Sequence, residues 1–535
     1  MDERRHCEEE LKFEEKGEEK RNLANAIGVT EEETKQKLKE CYKSQDELAP
    51  LVDDVRQPIC TCYIRLLLLP QQIFEERKKD LIKNKTRNIK KEQEKREQDE
   101  AQKEEEEEEE SEKWSNVLDD VLMHNNNGQG AIEVQDLWNM KKTDNLEVRH
   151  ISIHGEAGMG KSTLTQRIVY LWANDQLWNN RFEWLLRISL KSIVDIFDNK
   201  TGRKKKDRKS QWSKIMKEMG VLKWDKNDTN VLYSKNGLLL LDGFDEIVNE
   251  LNKNPELQTW LQECMDSKHK NRWVIMTSRR NSECPYLDCN AEKFHVVGFQ
   301  TQDIQKYVRA YFQNVATVVD HHYDHQSEAE LLIQTLHTNQ SLSILSHIPY
   351  YLRFFCYLTR QKKGAMEKKN GETNDLDNIS ISKLFEVLVQ CYMQWDQHGA
   401  TSIIPRSSKN TFLKFKMEMD YLSNLAWEGL KADQAVISCD MQQRVIDKLS
   451  NKYHFPQNIV TSSQWSHIRA FLVLQGQVSR AAHPSGSVYF PHLLFQEWFA
   501  AYYLVHCLYE PEASEGIVRH VQSWFMRNSL QSIRW

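Results

Sequence analysis

The chain has 535 residues, of which 39% are hydrophobic and 28% charged, and its formal net charge is −6. A length of this order provides for about three or four domains, while a mean hydropathy of −0.70 and the lack of any run near the roughly 18 apolar residues of a membrane span exclude an integral membrane protein. The acidic balance offers no overall positive field and so argues against nucleic acid as the main partner.

The opening "MDERRHCEEELKFEEKGEEK" is charged from its first turn and does not read as a signal peptide. The 11 cysteines are scattered, which fits reduced thiols in a cytoplasmic protein better than a disulfide frame or a zinc site. Residues 1–48 read as a helical region of unknown role. In "LANAIGVTEEETKQKLKECY" Gly28 breaks one helix and Thr30 with Glu33 forms a capping box for the next. The same string matches the turn of a helix-turn-helix, but its second helix opens "EEET" and would turn carboxylates towards phosphates, so an ordinary helical hairpin is the better reading.

Residues 49–83, including "CYIRLLLLP", form a short apolar segment expected to pack near the core that follows. Residues 84–113 are a charged linker with seven consecutive glutamates, Glu104 to Glu110, and must be a solvated helix or disordered. Residues 114–147 return to mixed composition. From 148 to 299 apolar runs alternate with amphipathic stretches, the pattern of βαβ units and a parallel sheet. The expected strands are "VRHISIHG", "WLLRISL", "GLLLLDG" and "WVIMTSR". Helical periodicity then dominates. A polar gap at 362–378 divides one helical module, 300–372, from another, 373–505, and 506–535 read as the start of a further helical segment.

Gly155 to Ser162 spell G-x-x-x-x-G-K-S between the strand "RHISI" and the helical "TLTQRIVYLWA", the context a phosphate-binding loop requires. Glycines 155, 158 and 160 let the backbone amides of the run, which also includes Glu156, Ala157 and Met159, converge on phosphate oxygens. Lys161 is placed to reach the β- and γ-phosphates, Ser162 to ligate Mg²⁺, and Thr163 to lie near the α-phosphate. Some eighty residues on, "GLLLLDGFDEI" reads as a strand buried on both faces with Asp242 emerging at its carboxyl end as the partner for Mg²⁺. Asp245 and Glu246 follow, Glu246 as the candidate base for water and Asp245 assisting at the metal. The strand "WVIMTSRR" ends at Arg279, the candidate contact for a γ-phosphate; Arg280 is expected to face solvent or an acid.

These motifs, in this order, resemble the NACHT family of signal-transducing NTPases, the STAND class that includes the NOD-like receptors; "GEAGMGKSTL" and "LLLLDGFDE" carry the likeness. "FHVVGF" resembles the family's passage from sheet to first helical domain, "SHIPYYLRFFCYL" its motif with a proline beside adenine, and "YFPHLLFQEWFAAYYL" the end of its winged-helix domain. The resemblance implies an α/β P-loop NTPase with helices on both faces of a parallel sheet, then an all-α helical domain and a winged-helix domain. It implies that Pro349 packs by the base and that His492 reaches the β-phosphate. ATP or ADP with Mg²⁺ is the implied ligand, slow hydrolysis the implied activity. Homo-oligomers in the ATP state and protein partners of a cytoplasmic signalling or defence pathway are the implied assemblies. Two departures stand out: "TSRR" lacks the family's proline after the arginine, and "SHIP" lacks its usual asparagine or glycine. Two other readings stay open. One is a fast-turnover ATPase that remodels a partner, with Arg167, Arg187 or Arg353 as an arginine finger; the other is a non-catalytic scaffold.

Overall fold

The computed structural model describes residues 31–48, 57–77, 79, 131–138, 148–178, 181–197, 208–266, 271–280, 282–318, 325–366, 383, 385–387, 389–390, 393, 415–432, 434, 436–453, 468, 471–474, 487–490 and 493–509. Thr30, the 84–113 linker, residues 506–535 beyond 509 and His492 lie outside them.

The centre is a six-stranded sheet in the order β1-β6-β2-β5-β4-β3. Its parallel strands are β2 (His150–His154), β3 (Trp184–Ser189), β4 (Gly237–Asp242), β5 (Arg272–Ser278) and β6 (Glu292–Val296). The first four fall on the runs expected from the sequence, and β6 falls within the passage "FHVVGF" and just before it. β4 and β5 are buried along their whole length, as strands covered by helices on both faces must be. The remaining strand, β1 (Leu68–Pro70), pairs antiparallel with β6 and comes from the apolar "RLLLLP" run. β5 lies between β2 and β4, so the strand leading into the glycine-rich loop and the strand ending in Asp242 are not neighbours. The carboxyl ends of all three still share one edge of the sheet, where such folds collect ligand-binding groups.

Helix α1 (residues 31–44) lies against β3, the last strand of that order. Its buried residues Thr34, Leu38, Cys41 and Tyr42 recur at helical spacing and form one face. Tyr42 Oη donates to the Leu185 carbonyl (3.0 Å) and accepts from the Arg187 N–H (3.1 Å), satisfying backbone groups that an edge strand would otherwise leave open. Thr34 Oγ1 and Lys37 Nζ donate to buried Asp228 at 2.7 and 2.8 Å. Asp228 is also half of a capping box with Asp225, so each of its oxygens is compensated.

Helix α2 (Ile59–Cys62) packs on α3 (Lys161–Ala173) and α4 (Thr301–Val318). α4 opens a helical region with α5 (His325–Thr338), α6 (Gln340–Ser346) and α7 (Pro349–Met366). Its link to the sheet is tight at Gly298, whose φ of +80° and 2.3 Å approach of the His347 carbonyl to a notional Cβ leave no room for a side chain. Phe299 N–H donates to that carbonyl (2.8 Å), while His347 Nδ1 lies 2.7 Å from the Phe299 carbonyl. Farther on, α8 (Lys416–Lys431), α9 (Cys439–Tyr453) and α10 (Leu493–Tyr509) accompany a three-stranded antiparallel sheet of Val436–Ile437, Val488–Tyr489 and Val473–Leu474. α8 and α10 pack against each other, with Trp427 stacked on Tyr503. The whole is thus a mostly parallel α/β core followed by helical regions, and one apolar core runs from Leu38 through the sheet to Phe499. Among the described residues, no helix is long and apolar enough to cross a membrane.

Tyr42→Phe keeps the ring but leaves the Leu185 carbonyl and the Arg187 N–H unpaired. The expected cost is about 1–3 kcal/mol of stability, measured by denaturant or thermal unfolding; an unchanged midpoint would show that α1 does not support the edge.

Candidate functional site

A cleft of about 340 Å³ opens over the carboxyl edge of the sheet, within the size range of small-ligand sites. Its floor is the glycine-rich loop. Gly158 and Gly160 have φ of +80° and +85°; at Gly160 a Cβ would also meet Leu66 Cδ1 at 2.9 Å, so only glycine passes between the loop and the β1 segment. Lys161 and Ser162 then open α3 at its positive end. Ala157, Gly158, Gly160, Lys161, Ser162 and Thr163 line the cleft. The other loop residues serve it from outside. Met159 is buried with its sulfur by Gly298, Glu156 pairs with Arg280 at 3.6 Å, and Gly155 N–H donates to the Ser278 carbonyl at 3.2 Å. Arg280 also lies over Phe74, 4.6 Å from the ring centre.

Lys161 Nζ folds back onto the Gly155 and Glu156 carbonyls at 2.7 and 3.1 Å. Burial pulls its pKa below the ordinary lysine range, with nearby Asp245 acting the other way. A desolvated ammonium held against loop carbonyls is poised for a stronger, anionic partner.

Opposite, Asp242 is almost fully buried. Oδ1 accepts from Thr277 Oγ1 (2.7 Å) and Ser162 Oγ (3.2 Å), and Oδ2 from Arg187 (3.0 Å). The Ser162 hydroxyl and the Asp242 carboxylate form an adjacent pair of hard oxygen donors, the type that holds Mg²⁺ together with phosphate oxygens. Thr277 is the middle residue of this arrangement: its hydroxyl also accepts from the Gly243 N–H at 3.0 Å.

Two ion pairs close the far wall. Lys191 and Glu246 meet at 2.9 Å, and Lys191 also sits 4.8 Å from the centre of the Tyr489 ring. Burial alone would lower the Lys191 pKa, but Glu246 outweighs it and holds it above the usual value. Asp245, which lines the cleft together with Ser162 and Asp242, accepts from the Arg279 N–H (3.1 Å) and pairs with the Arg279 guanidinium (3.3 Å). Arg279 extends to Glu497 of α10 at 3.3 Å. Burial pushes the Glu497 carboxyl above the ordinary range despite that arginine, whereas Glu497 and Asp245 overcome the burial of Arg279 and raise it.

Pro349 and Tyr350 form part of the opposite lip with Phe495 of α10. Tyr350 N–H donates to the Gly158 carbonyl at 3.3 Å, and Tyr350 and Phe495 meet edge to face. In place of the asparagine or glycine that "SHIP" lacks, His347 anchors the turn through its paired contacts with Phe299. The sequence reading missed the rest of this lip: Leu48, Cys62, Tyr63, Ile64 and Leu66 also line the cleft. The signal for the last four was the apolar character of residues 49–83, which carries no positional detail; Leu48 falls just before that segment. Of the three candidate arginine fingers, Arg187 and Arg353 line the cleft. Arg167 instead donates to the Ile59 carbonyl and packs on Tyr63 and Tyr170, while Arg187 is spent on Asp242 and on Thr165 Oγ1 at 2.8 Å.

Comparison with known proteins gives a NACHT domain match over residues 149–315. Mouse protein NLRC5 is 23% identical over 384 residues, 70% of this chain but 17% of its own length. Human NACHT, LRR and PYD domains-containing protein 10 is 25% identical over 199 residues, 34% of this chain and 28% of its own. Thus the chain spans under a third of the length of either relative. A solved STAND protein with a tetratricopeptide repeat sensor from Pyrococcus horikoshii overlaps 70% of this chain and 44% of its own at 12% identity, with a TM-score of 0.25.

His154, which ends β2 immediately before the loop, lies with Nε2 2.8 Å from Ser152 Oγ and Nδ1 3.2 Å from the Arg279 carbonyl. Burial lowers its pKa from 6.5, and does the same to His150 and His347. These rings favour the neutral form in the fold, so the stability they contribute is complete above pH 6.5 and is lost as pH falls through their depressed folded values. The thermal midpoint is expected to fall between about pH 7 and about pH 5, less steeply in His154→Gln. A midpoint flat across that window would contradict the assignment.

Proposed function

We propose that this chain, a NACHT-domain-containing protein related to the STAND NTPases, is an ATP- and ADP-binding molecular switch with slow hydrolysis. The observation that carries the reading is the convergence of the glycine-rich loop, Lys161, Ser162 and Asp242 in one cleft whose lip is built by the later helical regions. Phosphates would accept from the loop amides and from Lys161 once it leaves its carbonyls. Magnesium, shared between Ser162 and Asp242, would neutralise charge on the phosphates. The base would pack against Pro349 and the side chains of Leu48, Tyr63, Ile64 and Leu66.

Glu246 is the proposed base for the attacking water. Its ion pair with Lys191 orients the carboxylate but also restrains it, which favours slow turnover. Arg279 is the proposed contact for a terminal phosphate, and here it is shared by Asp245 and Glu497. The small sheet with α8, α9 and α10 is read as a winged-helix unit, from which His492 would reach the β-phosphate. A diphosphate would leave Arg279 to Glu497 and keep α10 docked; a triphosphate would compete for Arg279 and release α10, freeing surfaces for self-association. Arg167 and Arg187 are both engaged within the chain, so neither supports the fast-ATPase reading.

Lys161→Met tests the ligand and His492→Ala the coupling. Because the buried ammonium is costly, Lys161→Met is expected to leave the ligand-free thermal midpoint unchanged or higher, while abolishing the rise on adding ADP. Nucleotide read by mass spectrometry after denaturation should accompany the natural sequence and not that variant. His492→Ala should self-associate more readily, by light scattering. A purified protein that carries no nucleotide and gains no stability from ATP or ADP would end the proposal.

A further inference from the structure

Arg187 lies on β3, outside the glycine-rich loop and the Asp242 motif, yet its guanidinium meets Asp242 Oδ2 at 3.0 Å. Two further bonds hold it there, one of them through a residue that is itself anchored. Its N–H donates to Tyr42 Oη of α1 (3.1 Å), its Nε donates to Thr165 Oγ1 (2.8 Å), and Thr165 in turn donates to the Ser162 carbonyl (2.8 Å) one turn earlier on α3. The side chain is about four-fifths buried and the Asp242 side chain more so, at 21% and 6% exposure. Such an enclosed pair interacts far more strongly than one at the surface.

We infer that Arg187 is a built-in counterion for Asp242, taking the role of a divalent metal when a nucleoside diphosphate is bound. This inference rests on the nucleotide reading of the cleft. The chemistry follows from charge. A carboxylate facing a polyphosphate across a dry cleft repels it unless a cation stands between or beside them. With Oδ1 held by two hydroxyls and Oδ2 by a guanidinium, Asp242 is already compensated before any metal arrives. Arg187 cannot deprotonate to give way, so it and a divalent ion are competing partners for one carboxylate. The protein thereby gains a metal-independent grip on the diphosphate. Its cost is weaker metal recruitment, which is consistent with slow hydrolysis.

The experiment is a fluorescence titration of labelled ADP against the full chain, with Mg²⁺ and with excess chelator, for the natural sequence, Arg187→Met and Arg187→Lys. The natural sequence should lose less than about threefold in affinity on chelation, whereas Arg187→Met should lose more than about tenfold, equivalent to the removal of a buried cation. Arg187→Lys keeps the charge without the two-point fork and should fall between them. A thermal melt with Mg²⁺-ADP reports whether each variant folds, and the natural sequence answers the question even if a variant does not. If the natural sequence binds ADP only with Mg²⁺, the inference fails and the nucleotide reading stands. If Arg187→Met binds as independently of metal as the natural sequence, the inference also fails. If ADP binds under neither condition, both fall.

Discussion

Asp242 is a carboxylate at the end of a strand whose residues are all buried, where bulk water cannot solvate it. Such a charge persists only if donors from the protein replace its hydration. Here the donors come from three separate parts of the chain. Ser162 belongs to the helix after the glycine-rich loop, Thr277 to the strand between, and Arg187 to the strand beyond. Meeting the needs of this one side chain fixes the relative positions of β2, β3, β4 and β5 at their carboxyl ends, and with them the geometry of the cleft. The strand order has a direct consequence. Since β5 separates β2 from β4, Thr277 can bond both Asp242 and the Gly243 N–H while Ser278 accepts from the first residue of the loop.

The same economy governs the arginines and lysines around the cleft. Lys191 balances Glu246, Arg187 balances Asp242, and Arg279 is divided between Asp245 and Glu497. Lys161 stands apart: it donates to the neutral Gly155 and Glu156 carbonyls, so it can take an anion without giving up these acids' ion pairs. The cleft thus combines an available positive group on the loop with acids that are already matched, an electrostatic arrangement suited to a polyanion.

The sequence made much of this legible, for identifiable reasons. Gly155–Ser162 and Leu238–Asp242 could be read because a phosphate loop and a doubly buried strand impose strict local demands on residue type, and the structure brings Lys161, Ser162, Asp242, Asp245, Glu246, Arg279 and Pro349 to one cleft. Partnerships set by tertiary packing could not be read. Nothing in "WLLRISL" distinguishes Arg187 from a solvent-facing arginine, and nothing in "FQEWF" marks Glu497 as the partner of a residue 218 positions earlier. The bond from Asp245 to Arg279, reached through the left-handed turn at Gly243, likewise has no mark in the sequence. Helix α1 was seen only as an amphipathic hairpin segment because its partner, the exposed backbone of an edge strand, has no sequence signature at all.

These contacts bear unequally on how a ligand could alter the shape of the chain. A ligand shifts an equilibrium only through its different affinity for the two states, so what matters is which existing bond it must displace. Arg279 has two acids. Asp245 follows Asp242 by three residues, belongs to the sheet edge and binds the Arg279 backbone as well as its side chain. Glu497 comes from the distant helical region, makes a single 3.3 Å contact, and carries a carboxyl whose burial already disfavours its charge. An added phosphate oxygen near Arg279 would therefore weaken the bond to Glu497 before the bond to Asp245. The sheet edge would stay intact while the grip on α10 loosened, and that asymmetry is what a switch requires: one side of the site must remain rigid for the other to respond.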